Sequence, residues 1–444
     1  MTADSTLPLD QWAEAQARTS AEKMALAVSA TSLVMHRRGF GHTIRPVRGS
    51  VLAAIGSSLS EEEPDYFFHW LRDSAAIMDA ALVLVRNGID AEVWRRRFAE
   101  FVAFSLDLRQ IGGPRFLREV DFRTLTAPEM QQFLRTDAEI AAIEGERVQS
   151  EVRYNADGSL DFLRWCRPQH DGPAARALAV LRFWQADAIE ADAQGGAAEL
   201  IRLDLDYTVN HAFMPCYDIW EEESAHHYYT CLMQFAALQK GAQWAQARGE
   251  DDFTATLEAA AATMPDKLDR FWSPEKGIYL SRIMPAGQTT MKPLDFAAIL
   301  GVLHAGLESG PHSVADEGVR RTLNHLEDLF AAEYALNREA GAGLALGRYT
   351  GDLYFSGGAY FFCTLGAAEF YYKLALAEGD ADLIAKGDAI LGMARRSIPA
   401  SGEISEQFDQ TTGEQTSAKS LTWSYAAFIT AWDARRKAVT AEDR

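Results

Sequence analysis

The chain has 444 residues, 48% of them hydrophobic and 11% aromatic, enough to bury a sizeable core. A net charge of −20 and a pI near 5.0 produce a field that repels nucleic acid and anionic membranes and suits a neutral small molecule. Four scattered cysteines (Cys166, Cys216, Cys231, Cys363) without CxxC spacing argue against a zinc site or a disulfide framework.

In chain order, "MTADSTLPLDQWAEAQARTSAEKM" lacks the basic start and apolar run of a secretory signal. No stretch reaches the roughly 18 uninterrupted apolar residues that a spanning helix needs. The expectation is a cytoplasmic protein with reduced thiols and no membrane partner. Apolar residues spaced i, i+3, i+4, i+7 predict helices over 8–36, 73–88, 91–110, 172–192, 196–214, 223–248, 250–271, 294–308, 313–333, 357–378, 380–397 and 420–440. The segments "DSAAIMDAALVLV" and "SYAAFITAWDARR" show the pattern most clearly. A strand is predicted over 46–55. The triplet Arg95-Arg96-Arg97 falls in an amphipathic segment and reads as a solvated helix face. No linker or low-complexity tract divides the chain, so a single domain is expected, with 1–65 as a lead-in to 66–444.

The connections between these twelve helices are unequal. Even-numbered helices follow segments rich in aromatic, acidic and arginine residues: "DYFFHWLRD", "RWCRPQHDGP", "PCYDIWEEE", "MKPLDF", "GRYTGDLYFSGG" and "SEQFDQTTGEQTSAKSLTW". Most other connections, such as "ARGEDD", are merely polar. Consecutive antiparallel helices would bring every loaded segment to one end, as in a closed ring of helical hairpins. The segments carry Tyr66, Trp70, Trp165, Trp220, Tyr354, Tyr360 and Trp423 among the aromatics. They carry Arg72, Asp73, Arg167, Asp218, Glu221, Glu222, Arg348, Asp352, Glu406 and Asp409 among the charged residues. Aromatic faces beside carboxylates and guanidinium groups suit a carbohydrate, whose C–H faces pack on rings while its hydroxyls take hydrogen bonds.

The run Glu221-Glu222-Glu223 behind Trp220 has two readings. It is either the acidic first turn of a helix or the setting of a general acid kept protonated by like charges. Glutamates on separate loops match the pair that hydrolyses a glycosidic bond. No GxSxG elbow or Walker loop is present. His226-His227 lacks the HExxH pattern, so neither metal nor cofactor is expected.

These segments resemble glycoside hydrolase family 15, the glucoamylase-like family. "YFFHWLRDS", "RPQHDGPAAR", "YDIWEE", "GRY..D.Y" and "EQFDQTTGEQTSAKSLTWSYAAFITA" follow its motifs in order from Tyr66 to Ala431. The resemblance implies an all-α (α/α)6 barrel that cleaves α-glucosidic bonds with inversion. It implies Glu221 as general acid and Glu406 as general base. Arg72 and Asp73 would grip the terminal glucose and Arg348 the sugar beside it. Tyr66, Trp70, Trp165 and Trp423 would line the pit, with Glu222 on the leaving-group side, Asp218 tuning the acid and Glu223 in solvent. The substrate is expected to be a small soluble malto-oligosaccharide. Gly358-Ala359-Tyr360 departs from the family's N-P-W, which suggests a looser backbone there and opens α-1,6 linkages or trehalose as alternatives. A non-catalytic sugar-binding protein is the alternative of another class, but it has no need of a paired acid and base.

Overall fold

The computed structural model describes residues 7–56, 63–339 and 343–442. Parts of the 1–65 lead-in, residues 1–6 and 57–62, lie outside that range. Among the described residues there are seventeen α-helices, with strands of at most four residues. The chain divides into two compact units. One comprises Met1–Met24, Ala225–Ala236 and Ala262–Arg444; the other comprises Ala25–Ser224 and Ala237–Ala261. No helix among the described residues is long and apolar enough to cross a membrane.

In the unit built on Ala25–Ser224, helix Leu71–Arg86 packs against Asp171–Gln185; the first also packs on Ala91–Asp107, the second on Gln194–Asn210, and those two pack on each other. Phe98 stacks on Phe183 with centroids 3.7 Å apart. Arg176 and Asp204, both buried, join two of the helices through paired hydrogen bonds of 2.8 and 2.7 Å. Gly172 lets Asp171–Gln185 approach closely, because a Cβ there would come within 2.9 Å of Leu71 Cβ. Both helix starts are thereby held side by side.

In the other unit, helix Phe361–Glu378 packs on Ala381–Ser397, Thr422–Glu442 and Ala297–Ala305. Fourteen of its eighteen residues are buried, so its sequence is apolar nearly all round rather than amphipathic.

Several boundaries differ from expectation for identifiable reasons. The helix expected over 8–36 is Leu9–Ala27; Ser29 takes a left-handed φ of 55°, and Met35–Arg37 pairs with His42–Ile44 as a hairpin. The strand expected over 46–55 is reduced to isolated bridge residues at Val51, which pairs with Val28, and Ala54. Pro46 has no N–H to give a ladder, and Gly49 sits at a φ of 83°. The helix expected over 250–271 breaks into Asp251–Ala262 and Met264–Asp269, with Pro265 in the first turn of the second. Four short helices between Gly113 and Gln149 are four to seven residues long, too short for periodicity to show. The helix expected from 223 begins at Tyr228. The glutamate run therefore lies in a turn, and the helix-start reading of it is wrong.

Candidate active site

Each unit gathers three of the six loaded segments. In the first, the turn carrying Glu221 is built by its own acid. Asp218 Oδ1 accepts from the amides of Glu222 at 2.7 Å and Glu223 at 3.0 Å, while the Glu221 amide donates to Asp218 O at 2.9 Å. Asp favours such turns because its short side chain reaches backbone two or more residues on. The Tyr217 amide anchors the turn to Pro168 O at 3.0 Å. Glu221 itself holds φ at 66°, an uncommon conformation for a residue with a Cβ and one that clusters at functional sites.

That backbone aims the Glu221 carboxyl at two other segments. Trp70 Nε1–H donates to Oε1 at 2.9 Å, Gln169 Nε2–H to the same oxygen at 3.0 Å, and Trp165 Nε1–H to Oε2 at 2.5 Å. Arg72 Nη2 stands 3.8 Å from Oε1. Both oxygens are engaged, so the carboxyl plane is fixed by groups some 50 to 150 residues away. Glu222 is exposed and Glu223 half-buried, the reverse of the expectation that Glu223 faces solvent. The reason is the turn: side chains diverge here by backbone reversal, not by the 100° step of a helix.

Arg72 is 5% exposed and donates through Nη1 to Gln169 Oε1 at 2.8 Å and Asp171 Oδ2 at 3.0 Å. Sequence reasoning missed Gln169 and Asp171 as its partners, although both lie in the quoted "RPQHDGP". Asp73 sits beside Arg72, 3.9 Å from its Nε. Burial pushes its carboxyl up to about 6, with Glu221 adding to the rise and Arg72 opposing it. A raised carboxyl binds its proton more tightly folded than unfolded. The stabilisation is present at low pH and is lost as pH climbs from about 4 through about 6. Asp73→Asn, which cannot ionise, is therefore expected to melt higher than the parent at pH 7.5 and to show a clearly smaller gain at pH 4.5. Thermal melts at the two pH values test this; an equal difference at both would contradict the assignment.

Tyr66 and Trp70 meet edge to face at 5.5 Å, and Trp70 and Trp165 do so at 6.3 Å. Trp165 is 40% exposed and Trp220 half-buried. Arg167 is occupied by the protein itself, donating to Glu151 at 2.7 Å and Asp161 at 2.9 Å.

In the other unit, Phe296 N–H donates to Arg348 O at 2.8 Å, and Phe361 N–H to Glu406 O at 3.1 Å, so segments 291–296, 347–360 and 405–423 meet. Glu406 is 8% exposed. Its backbone is fixed by its amide donating to Ala418 O at 2.8 Å, and its Oε2 accepts from the Ser417 hydroxyl, a partner the sequence did not single out. Arg348 is clamped by Asp352, with Nε donating to Oδ2 at 2.6 Å and Nη2 to Oδ1 at 2.7 Å. Such a fork fixes the guanidinium plane. Trp423 stacks on Phe362 with centroids 4.6 Å apart and rings within 8° of parallel.

The departure at 358–360 is not loose. Ala359–Tyr360 pairs antiparallel with Gln407–Phe408, which pairs in turn with Gln415–Thr416. Gly358 lies so close to Phe408 O that a Cβ would come within 2.4 Å. Tyr360 is 1% exposed, and its hydroxyl accepts from Gln407 Nε2 at 2.8 Å. Its ring carries the Arg348 guanidinium at 5.0 Å, so it backs Arg348.

Comparison with known proteins identifies the family and the fold. Residues 118–433 match the family described as Glycosyl hydrolases family 15. The chain is 26% identical to a glucoamylase of Blastobotrys adeninivorans over 88% of this chain and 68% of that protein. It is also 26% identical to Glucoamylase 1 of Rhizopus oryzae, over 86% and 67%. Among solved structures, it is similar to the glucoamylase from Saccharomycopsis fibuligera, with a TM-score of 0.78 and 22% identity over 97% of this chain and 96% of the other. It is similar too to the glucoamylase of Hormoconis resinae, with a TM-score of 0.77 and 24% identity over 96% and 74%. These likenesses show the fold to be of the (α/α)6 class implied by the motifs.

Proposed function

Because the chain belongs to glycosyl hydrolases family 15, it is a glycoside hydrolase of the exo-acting α-glucosidase type, and we propose Glu221 as its general acid and Glu406 as its general base. Glu221 protonates the glycosidic oxygen as the bond to the terminal glucose breaks. Glu406 takes a proton from the water that attacks the anomeric carbon from the opposite face, so β-glucose leaves. The observation that carries the assignment of the acid is the Glu221 carboxyl, turned out on a left-handed backbone and gripped at both oxygens by Trp70, Gln169 and Trp165. For the base, the support is a buried carboxyl whose backbone is pinned on both sides and whose Oε2 accepts a hydrogen bond from the Ser417 hydroxyl.

The remaining roles follow the chemistry of each group. Arg72 and Asp73 bind hydroxyls of the terminal glucose, and Arg348, held flat by Asp352, binds the neighbouring sugar. Tyr66, Trp70, Trp165 and Trp423 offer ring faces to the pyranose. Glu222, exposed beside the acid, reaches the leaving sugar, while Asp218 acts by holding the turn. Arg167 contributes indirectly, through its carboxylate partners. The likeness to proteins named glucoamylase supports small soluble malto-oligosaccharides as the substrates here, rather than isomalto-oligosaccharides or trehalose.

The test is to incubate purified protein with maltose, maltotriose, isomaltose and trehalose and follow released glucose by proton NMR. Maltose and maltotriose are expected to be cleaved fastest, with the β-anomer appearing first. Initial α-anomer would overturn inversion, and faster release from trehalose or isomaltose would overturn the linkage.

A further inference from the structure

Behind the indole of Trp165 lies a group that the reaction scheme leaves unused. Strand Phe68–Trp70 pairs antiparallel with Arg153–Asn155, and the register sets Arg153 directly opposite Trp70. Arg153 is 2% exposed. Its guanidinium lies 3.6 Å from the centroid of Trp165, 4.9 Å from that of Trp70 and 4.0 Å from that of Phe68. Arg153 Nε donates to Asp161 Oδ2 at 2.8 Å, and Arg167 Nη2 donates to the same oxygen at 2.9 Å. Glu151 is shared in turn by Arg167 at 2.7 Å and Arg135 at 2.8 Å. Three guanidinium groups thus share two carboxylates, and the cation nearest the indoles is fixed in place by the lattice behind it.

The two indoles over Arg153 are the ones whose N–H groups donate to different oxygens of Glu221. They differ in how they are held. Trp70 is buried, with Phe68 and Tyr66 against it, and packing fixes its plane. Trp165 is 40% exposed, with Trp70 edge-on as its only aromatic neighbour among the described residues, so packing constrains its ring less than that of Trp70. A planar guanidinium stacked on its face supplies the missing constraint. A cation against the ring also draws electron density from the indole and strengthens its N–H as a donor.

We infer that Arg153 is a positioning residue for hydrolysis: stacked beneath Trp165 and anchored by Asp161, it holds the Trp165 N–H on Glu221 and so sets the orientation of the acid. This rests on Glu221 being the acid. Arg153 touches no substrate; it acts chiefly through Trp165, the indole it stacks on at 3.6 Å.

The experiment is a double-mutant cycle in maltose hydrolysis. Arg153→Lys keeps a charge for Asp161 but gives up the planar stack. It is expected to lower kcat about tenfold with KM within about twofold, since the loss falls on the transition state. In a Trp165→Phe background, which has no N–H to position, the same substitution is expected to cost less than about twofold further. Equal losses in both backgrounds would show that Arg153 serves the fold generally and would overturn the inference. If Arg153→Lys melts early, the pair Arg153→Met with Asp161→Asn removes both buried charges together and is put through the same cycle. Glu221→Gln is measured alongside. Turnover retained by Glu221→Gln defeats the acid assignment itself, whereas an inactive Glu221→Gln with an additive cycle defeats only the role of Arg153.

Discussion

Glu221→Gln is expected to cut turnover of maltose by at least about a hundredfold, and Glu406→Gln to do the same, with melting transitions close to that of the parent. Gln matches Glu in shape, so what is lost is the proton. At 221 the amide keeps one acceptor oxygen for Trp70 and Gln169 or for Trp165, which holds the side chain near its place but leaves it nothing to donate as an acid. At 406 the Ser417 hydroxyl can still donate to the amide oxygen, yet the amide cannot take a proton from water. Glu223→Gln serves as the control and is expected to be close to neutral, because Glu223 contributes its backbone amide to the Asp218 turn. Near-parental rates for Glu221→Gln combined with a collapse for Glu223→Gln would mean that the acid has been placed in the wrong register.

Arg72→Ala is expected to lose both stability and activity. Asp171 is fully buried and takes its hydrogen bond at Oδ2 from Arg72, and Asp171 Oδ1 has no hydrogen-bond partner among the described residues. Removing the guanidinium strands a buried carboxylate, an effect worth about 3–5 kcal/mol when one partner of such a pair is deleted. Gln169 loses its contact at the same time, and with it the geometry of its donor to Glu221. A lowered melting temperature with kcat reduced as well as KM raised is the expected pattern. Asp171→Asn added to Arg72→Ala should recover part of the stability, since the stranded charge is gone, but none of the activity. If the double variant melts no higher than Arg72→Ala, the buried pair is not the source of the loss. Asp73→Asn differs in kind: it removes a carboxyl that burial already disfavours, so it trades binding for stability.

How far these residues could be found from sequence depended on their chemistry. Glu221, Glu406, Arg72 and Arg348 stand out as charged groups inside aromatic segments, where charge has no packing purpose. Gln169, Ser417 and Gln407 carry no comparable signal, being uncharged polar residues of the kind that decorates any surface. Arg153 lay in a stretch without helical periodicity, and a three-residue strand gives too few alternations to be read. Tyr360 was legible as a departure from the family pattern, but not its burial or its place in a ladder with Gln407–Phe408.

The sequence by itself determined the fold class and, through the resemblance, named the charged residues proposed for the site. Eleven of the helices expected from periodicity have counterparts that start within about five residues of where they were placed, and a twelfth fell into two at Pro265. Periodicity and motif order are local properties, written in residues a turn or a few positions apart. Only the tertiary structure shows how Glu221 is set apart within the run: Asp218 folds the run into a turn, and a positive φ carries Glu221 away from Glu222 and Glu223. It alone decided what grips that carboxyl, since Trp70, Trp165 and Gln169 arrive from segments far off in the chain. Such contacts depend on how helix ends pack, and packing is set by volume and close approach, as at Gly172 against Leu71, which no pattern along the chain records.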